Sequence, residues 1–369
     1  MAIDATAGRV AFHPRCERAQ RDAARYSART RLPRSSMPPL TPRPLRLLAT
    51  GLSTPAQWLD STALDARLGL APGTIEARTG VARRGIEPDR NAAQVGAEAA
   101  RAALHDAGIA IDTVDAVVCA SASHDQAMPC NAALLHRALG LRGAAAFDVN
   151  ASCIGFLMGL DLVASLLASR RYRRVLLVSC DLASRALDPR DLDTIGLFGD
   201  GAAAAVLEAG DAADGPALLA ACFETWSEGA HACEIPGGGS RLPPSRHDGD
   251  YREVCTFRMD GKRLYRIAAG HFEAFVAGLL AEAGTDIDAI ARVVPHQASR
   301  LGMEHVFKRL GLPRDRIEDI FASHGNQVSA SLPTALHLAL AGGRLRRGDT
   351  ALLIGTAAGV TLGGAVLRL

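Results

Sequence analysis

Three side chains of this sequence have the types and the settings that acyl-transfer chemistry needs. Cys153 precedes a long apolar segment, His296 comes directly after a buried apolar run, and Asn326 lies in a glycine turn before a helical stretch. A thiolate attacks a thioester carbonyl, and N–H groups hold the oxyanion that forms. A neutral imidazole N–H and an amide N–H together can polarise a second thioester carbonyl and stabilise an enolate. The three residues therefore predict a site that handles acyl thioesters.

The stretch 147–174 sets the position of the cysteine. Its apolar residues cover most faces of a helix, so we expect that helix to be central rather than amphipathic. Asn150 and Ser152 are good N-cap types, which places Cys153 at the helix N-terminus. There, free backbone N–H groups and the helix dipole should stabilise a thiolate and lower the pKa of the thiol. The alternative is an inert structural cysteine, which is the commoner fate of a cysteine in an apolar core.

Each of the other two residues also has a purely structural alternative. His296 could simply cap a strand, and Asn326 could serve a left-handed turn beside Gly325. The small residues 355–359 form a further candidate segment, because their backbone N–H groups can approach a ligand closely. These positions follow predicted strands, and in doubly wound sheets ligands bind at the carboxyl ends of strands.

Buried apolar runs alternate with helical stretches along the chain, which predicts an α/β sheet of parallel strands covered on both faces. Strands are expected at 45–52, 114–120, 147–150, 175–179, 199–207, 290–294, 350–354 and 360–369. Helices are expected at 61–68, 91–107, 129–139, 153–167, 263–283, 299–310 and 330–340. A compact turn is expected at 76–81, and a connector with a loop insertion at 210–260.

Each half of the chain ends with a basic turn, a buried strand, a glycine-rich turn and a strand of small residues. We therefore predict two duplicated halves. The N-terminal half, residues 44–210, contains Cys153. The C-terminal half, residues 211–369, contains His296 and Asn326.

Composition restricts the class of protein. The chain has 369 residues, of which 48% are hydrophobic, so it can bury a large core. It has no apolar run long enough to predict a membrane span, and no nucleic-acid-binding motif. The eight cysteines are scattered without a CxxC pair. Neither a metal site nor a disulfide framework is therefore expected, no cofactor is implied, and a cytoplasmic location fits reduced thiols.

The N-terminal segment differs from the body in charge. Residues 1–43 contain nine Arg and three acidic residues, a net charge of +6, whereas the whole chain carries +2. The segment lacks the apolar core of a secretory signal, and a Pro-rich linker follows Met37. We predict a disordered tail over residues 1–43, of which folding and catalysis should not require residues 1–36. An organelle transit peptide and translated sequence upstream of the true start are the alternatives.

Taken together, the motifs resemble the ketoacyl-ACP synthase III enzymes of the thiolase superfamily. The resemblance covers nearly all of the chain from about residue 45 to residue 369. It is carried by ARTGV at 77–81, NASCIGF at 150–156, LFGDGA at 197–202, PHQA at 295–298, GN at 325–326 and GTAAGVTLGG at 355–364. Each motif alone is weak, but their order and spacing are specific.

The resemblance implies a thiolase-like five-layered αβαβα fold and a homodimer. It implies that Cys153 forms an acyl-enzyme, and that His296 and Asn326 drive decarboxylation of malonyl-ACP and stabilise the resulting enolate. The backbone N–H groups of Cys153 and Ala358 would form the first oxyanion hole. The implied product is a 3-oxoacyl thioester, and the implied partners are an acyl carrier protein and acyl thioester substrates.

Several positions depart from the family pattern. Thr74 stands where members primed by acyl-CoA have a Trp that stacks on the adenine, and Leu192 stands where an Arg covers the other face. Thr356 replaces a Phe beside the active site. These departures suggest a synthase of a specialised lipid or secondary-metabolite pathway, whose acyl donor arrives on a carrier rather than as free acyl-CoA.

Carrier proteins are acidic, and the predicted helix after His296 supplies Arg300, Lys308 and Arg309. We predict that these residues bind the carrier, with ordinary solvated charges as the alternative. Two other functions also stay open. One is an acyltransferase of the same fold that does not decarboxylate, and the other is an inactive partner subunit that only binds an acyl carrier.

Overall fold

The computed structural model describes residues 41–210 and 215–369. The tail predicted for residues 1–43 therefore lies outside the described residues except at its end. There, Arg43 already belongs to the first strand.

Strands and helices alternate along most of the described chain. The strands are β1 (Arg43–Leu52), β2 (Gln57–Asp60), β3 (Arg83–Ile86), β4 (Ala116–Cys119), β5 (Ala145–Asp148), β6 (Arg174–Leu182), β7 (Asp200–Ala209), β8 (Ala217–Thr225), β9 (Cys233–Glu234), β10 (Arg258–Met259), β11 (Arg292–Pro295), β12 (Thr350–Ala357) and β13 (Thr361–Arg368). The helices are α1 (Ser61–Leu68), α2 (Thr74–Thr79), α3 (Ala92–Asp106), α4 (Asn131–Leu139), α5 (Gly155–Ala168), α6 (Leu192–Ile195), α7 (Gly261–Glu282), α8 (Arg300–Leu310), α9 (Phe321–His324) and α10 (Ser331–Ala341). Most lie within a few residues of the predicted elements.

Nine of these strands are hydrogen-bonded side by side in the order β11-β12-β13-β8-β1-β7-β6-β4-β5. The pairs β4–β5, β4–β6 and β11–β12 are parallel, whereas the other neighbours are antiparallel. The sheet is therefore mixed, and the prediction of parallel strands is wrong. A strand that is buried on both faces has the same apolar run whichever way its neighbour points, so the sequence does not distinguish the two directions.

Strands β1 and β8 are paired only at Arg43 with Leu218 and Pro44 with Ala217. The sheet thus consists of two parts joined at one corner. We call β1, β7, β6, β4 and β5 the first half-sheet, and β8, β13, β12 and β11 the second half-sheet.

The helices complete five layers. Helices α5 and α10 lie between the two half-sheets, since each packs on strands of both. Helices α3 and α4 cover the outer face of the first half-sheet, and α7 covers that of the second, with α8 packed against it. Side chains alternate accordingly: Ala116 and Val118 of β4 face the central helices, whereas Val117 and Cys119 face α3 and α4. The fold is the expected αβαβα arrangement.

Two predicted irregular segments are in fact regular elements. The connector predicted at 210–260 is wrong over Ala217–Thr225, which forms β8 at the centre of the sheet. That strand is rich in alanine, which has a weak strand preference, so pairing with β13 and β1 stabilises it. The turn predicted at 76–81 is also wrong, because Thr74–Thr79 forms α2, which ends at Gly80 with a φ of 84°.

Strand β1 packs so closely on α3 that the contact requires a glycine. A Cβ atom added at Gly51 would lie 2.4 Å from both the Ala103 N and the Ala99 O atoms. We predict that Gly51→Ala lowers the free energy of unfolding by about 1–3 kcal/mol, the range for overpacking a core. Urea denaturation should show a lower midpoint with an unchanged slope.

The matched control is Gly270→Ala in α7, where an added Cβ meets nothing within 4 Å. That change should leave stability unchanged or raise it by up to about 1 kcal/mol, because alanine is the better helix former. A Gly51→Ala midpoint equal to that of the unsubstituted protein would contradict the close approach of β1 and α3.

Candidate active site

One large cavity, of about 970 Å³, brings the three predicted site residues together. Cys153, His296 and Asn326 all line it, although they come from three distant parts of the chain. His296 directly follows β11, and Cys153 and Asn326 lie in segments that precede α5 and α10. The cavity also contacts Ala358 and Arg300.

A tight turn before α5 positions the cysteine. Ser152 has a φ of 50°, in the left-handed region, and the helix begins three residues later at Gly155. The expected N-caps are wrong: Ile154 occupies the cap position, and no side chain caps the helix. Asn150 instead accepts a hydrogen bond at 3.0 Å from the Ser152 N–H, which stabilises the turn itself.

The protonation of the cysteine is the opposite of the sequence prediction. Burial raises the pKa of the Cys153 thiol to about 12, and the nearby Asp181 carboxyl and Cys233 thiol act in the same direction. The backbone N–H groups of Ala358 and of Cys153 itself favour the charged sulfur and lower its pKa, but by less. Loss of hydration thus outweighs the N–H donors at the helix end. At neutral pH the resting residue is a thiol.

His296 is also uncharged at neutral pH. Its imidazole is buried, and burial lowers its pKa to about 4. Its backbone N–H donates to the Ile354 carbonyl at 2.8 Å, which fixes the residue beside β12. The Nδ1 atom has no hydrogen-bond partner among the described residues. The side chain therefore brings a neutral imidazole to the cavity.

The amide of Asn326 is held at both ends. Its Oδ1 accepts from the Val328 N–H at 2.8 Å, and its Nδ2 donates to the Ala298 carbonyl at 3.1 Å. The second hydrogen of Nδ2 remains available on the residue that lines the cavity. The preceding Gly325 has a φ of 66°, and a Cβ there would lie 2.5 Å from the Leu197 O atom. Asn326 thus combines the turn role with a free N–H donor.

A buried carboxylate that the sequence analysis missed joins the segments around these residues. Asp181, at the end of β6, accepts from the N–H groups of Ala122 at 2.9 Å, Ser123 at 2.7 Å and Ser329 at 3.1 Å. The hydroxyls of Ser123 and Ser329 also contact it. Ser329 lies three residues after Asn326, so Asp181 connects that loop to the first half-sheet. A charged residue at the end of an apolar strand is the signal that indicates such a site.

The three predicted carrier-binding residues do not lie together at the cavity. Arg300 is exposed and lines it, whereas Lys308 and Arg309 lie further along α8 and do not. Arg309 is paired with Glu273 at 2.6 Å. Two exposed cations of α7, Lys262 and Arg266, do line the cavity and were missed by the sequence analysis. Lysine and arginine in the first turns of the helix after a long loop would have been the signal.

The positions of Thr74 and Leu192 are also defined. Each is the first residue of a short helix, α2 and α6 respectively, and neither lines the cavity. The Thr74 hydroxyl donates to the Ala71 carbonyl at 2.6 Å. Thr356, by contrast, does line the cavity.

The described residues contain neither a candidate metal site nor a helix that could span a membrane. No group of three or more His, Cys, Asp or Glu in residues 41–210 and 215–369 is placed to hold a metal ion. No helix of the same residues is long and apolar enough to cross a membrane.

Known proteins resemble this chain in both sequence and structure. The profile of 3-oxoacyl-[acyl-carrier-protein] synthase III matches residues 147–226, and that of its C-terminal part matches residues 280–369. A β-ketoacyl-[acyl-carrier-protein] synthase III of Pseudomonas aeruginosa is 38% identical, over 89% of this chain and 97% of the relative.

An acetoacetyl CoA synthase of Streptomyces sp. strain CL190, NphT7, is 36% identical over 73% of this chain and 82% of the relative. The crystal structure of 3-oxoacyl-(acyl carrier protein) synthase III from Pseudomonas aeruginosa PAO1 superimposes with a TM-score of 0.80 at 36% identity. It covers 88% of this chain and 98% of the other.

The burial of His296 predicts a pH-dependent stability. An unfolded histidine takes up a proton near pH 6.5, whereas folded His296 does so near pH 4. Between these values the unfolded state binds more protons, so the free energy of unfolding should fall as pH falls from about 6.5 to about 4. His296→Asn should reduce that fall, measured as urea midpoints at pH 7, 5.5 and 4.5.

The control is His105→Asn, which replaces an exposed histidine at the end of α3. It should leave the pH dependence of the midpoint unchanged. If His296→Asn shows the same pH dependence as the unsubstituted protein, the imidazole is not held neutral by burial.

Proposed function

The chain belongs to the 3-oxoacyl-[acyl-carrier-protein] synthase III family of acyltransferases, and we propose that it loads an acyl group on Cys153 and condenses it with a malonyl thioester. Malonyl-ACP is the proposed acceptor. One observation carries the assignment of roles. A single cavity contains a thiol that two backbone N–H groups contact, a neutral imidazole and an amide with a free N–H.

In the first half-reaction, the Cys153 sulfur bonds to the thioester carbonyl carbon, and the donor thiol leaves. The proton of the Cys153 thiol departs with that leaving group, so no buried thiolate has to persist. The N–H groups of Cys153 and Ala358 reach the sulfur in the resting protein. They are therefore close enough to stabilise the oxyanion that forms on the adjacent carbonyl.

In the second half-reaction, His296 and Asn326 donate hydrogen bonds to the carbonyl of the malonyl thioester. Carbon dioxide leaves, and its bonding electrons form an enolate that these two donors stabilise. The enolate carbon then attacks the acyl carbon on Cys153, the C–S bond breaks, and a 3-oxoacyl thioester is released. The Cys153 sulfur leaves as a thiolate and takes up a proton from solvent, which restores the thiol. A neutral imidazole suits this role because it donates a hydrogen bond without protonating the enolate carbon.

The division of roles between the residues gives a direct test. Cys153→Ala should form no acyl adduct detectable by intact mass. Asn326→Ala should still acylate Cys153 but lose condensation by about 100-fold or more, the scale for removing one oxyanion donor. Acylation is measured by mass spectrometry, and condensation by release of carbon dioxide from the malonyl thioester.

The outcomes separate this function from its alternatives. An adduct that persists in Cys153→Ala would place the nucleophile elsewhere, for example at Cys130 or Cys180. Acylation without carbon dioxide release in the unsubstituted protein would indicate an acyltransferase that does not decarboxylate. Neither acylation nor release with any donor would indicate a subunit that only binds an acyl carrier.

The natural donor is proposed to arrive on an acidic carrier protein. Three exposed cations on the rim of the cavity support this: Lys262 and Arg266 of α7, and Arg300 of α8. Family membership does not decide whether the acyl group arrives on CoA or on a carrier protein, because one relative is named for the carrier protein and another for a CoA thioester. The absence of adenine-stacking residues at Thr74 and Leu192 favours the carrier.

Charge reversal tests the carrier. Arg300→Glu should lower kcat/KM for a carrier-bound acyl donor by about 10-fold at low salt, and less at high salt, because rim charges accelerate encounter. Lys308→Glu should have a smaller effect, since Lys308 does not line the cavity. The control Arg142→Glu replaces an exposed arginine that does not line it either.

Comparison with free acyl-CoA completes that experiment. Losing both faces of an adenine stack weakens CoA binding by roughly 10- to 100-fold. The same acyl group should therefore react faster from the carrier than from CoA. Equal or faster use of acyl-CoA, with no effect of Arg300→Glu, would contradict the proposal.

A homodimer, a cytoplasmic location and a specialised lipid or secondary-metabolite pathway remain proposals that rest on the family and on the positions discussed above. The cysteines among the described residues are free thiols, which suits a reducing compartment. Sedimentation equilibrium tests the homodimer, since a monomer at micromolar concentration would exclude it.

A further inference from the structure

The charged residues that line the cavity are not equally available to a ligand. Its exposed cations include Lys262, Arg266 and Arg300, none of which has a carboxylate partner within the part of the chain that the structure describes. A fourth cation, Arg78, is different, because Asp193 pairs with it. Asp191 and Glu234 also line the cavity, but the first caps α6 and the second pairs with His231 and Arg241.

The Arg78–Asp193 pair is made at two points. The Arg78 Nε donates to one carboxylate oxygen, and Nη2 donates to the other at 3.0 Å. The pair joins α2 to α6, and its side chains are 49% and 59% exposed. Because both residues line the cavity and face solvent, they lie at its mouth rather than at its floor.

Any thioester donor with a phosphopantetheine arm carries phosphate into this mouth. A guanidinium is the side chain best matched to phosphate, since its fork of N–H groups can bind two oxygens at once. Here that fork is already occupied by the Asp193 carboxylate. A phosphate can use Arg78 only by displacing Asp193, and it then also meets the negative charge of the displaced carboxylate.

We propose that Asp193 is a specificity-determining residue. By pairing with the Arg78 guanidinium at the mouth of the cavity, it weakens the binding of acyl donors that carry phosphate. The proposal rests on the proposed use of thioester donors. The consequence is a preference among donors. The more phosphate charge a donor brings to this position, the more binding affinity it loses. Coenzyme A, which has three phosphates, therefore loses more affinity than the phosphopantetheine arm of a carrier protein, which has one.

The alternative is that the pair only fastens α2 to α6, as exposed ion pairs often do. Asp193→Asn separates the two ideas. It keeps the shape of the side chain, removes its charge and leaves in place the hydrogen bond from the Asp193 backbone N–H to the Asp191 carboxylate. The probes are free coenzyme A and pantetheine, which has the same thiol arm but no phosphate.

Isothermal titration calorimetry with these probes tests the proposal without any reaction at Cys153. Asp193→Asn should bind coenzyme A about 1.5-fold to 5-fold more tightly than the unsubstituted protein, the range for an exposed charge pair. Its affinity for pantetheine should not change. Adding Arg78→Gln to Asp193→Asn should abolish the gain, and raising the salt concentration should reduce it.

The matched control is Asp250→Asn, which breaks the exposed two-point pair of Asp250 with Arg252 away from the cavity. It should leave both affinities unchanged. The proposal is overturned if Asp193→Asn changes the two affinities equally, if it shows no gain for coenzyme A, or if the gain survives Arg78→Gln. Because binding is measured, a failure of the condensation assay would not affect this result.

Discussion

The buried carboxylate of Asp181 is the interaction on which the geometry of the site depends. It accepts hydrogen bonds from the segment after β4 and from the segment after Asn326, which belong to opposite halves of the molecule. Burial raises the pKa of this carboxyl, and its donors lower it again. Without the carboxylate, several buried N–H and O–H groups would lose their acceptor, each at a cost of about 1–3 kcal/mol. Asp181 therefore fixes the Asn326 loop relative to the first half-sheet, together with backbone hydrogen bonds between Asn326 and the residues that precede β7.

Desolvation then determines the charge state of the reacting groups. The same burial that keeps Cys153 as a thiol keeps His296 as a neutral imidazole. A thiolate–imidazolium pair would need two buried charges, whereas the observed cavity holds two uncharged donors of hydrogen bonds. Fixed N–H groups around an uncharged centre are suited to charge that appears only during the reaction. The site is thus organised for transient oxyanions rather than for a standing ion pair.

How far the sequence predicted this structure differs between elements for physical reasons. Apolar runs such as that of β6 and glycine-ended helices such as α4 carry local signals, and their positions were predicted closely. Strand β8 carries a weak signal because three of its nine residues are alanine and it follows a stretch of Gly, Pro and polar residues, so only its neighbours reveal it. The pairing at β1 and β8 that divides the sheet has no sequence signal at all.

The candidate site shows the same division. The residue types and motif order predicted a site at Cys153, His296 and Asn326, and the structure brings all three into one cavity. The direction of the Cys153 pKa shift was predicted wrongly, because helix position is local whereas burial depends on the whole fold. Asp181 was missed for the same reason, since its hydrogen-bond donors are distant in sequence. Lys262 and Arg266 were missed because only the fold places them on the cavity. The shared central layer of α5 and α10 has a last consequence, for folding. The inner face of each half-sheet packs on helices from both halves, so an isolated half would expose part of that face to water. Assembly must therefore wait for contacts between residues far apart in sequence, which makes a slow, high-contact-order folding reaction the natural behaviour of this chain.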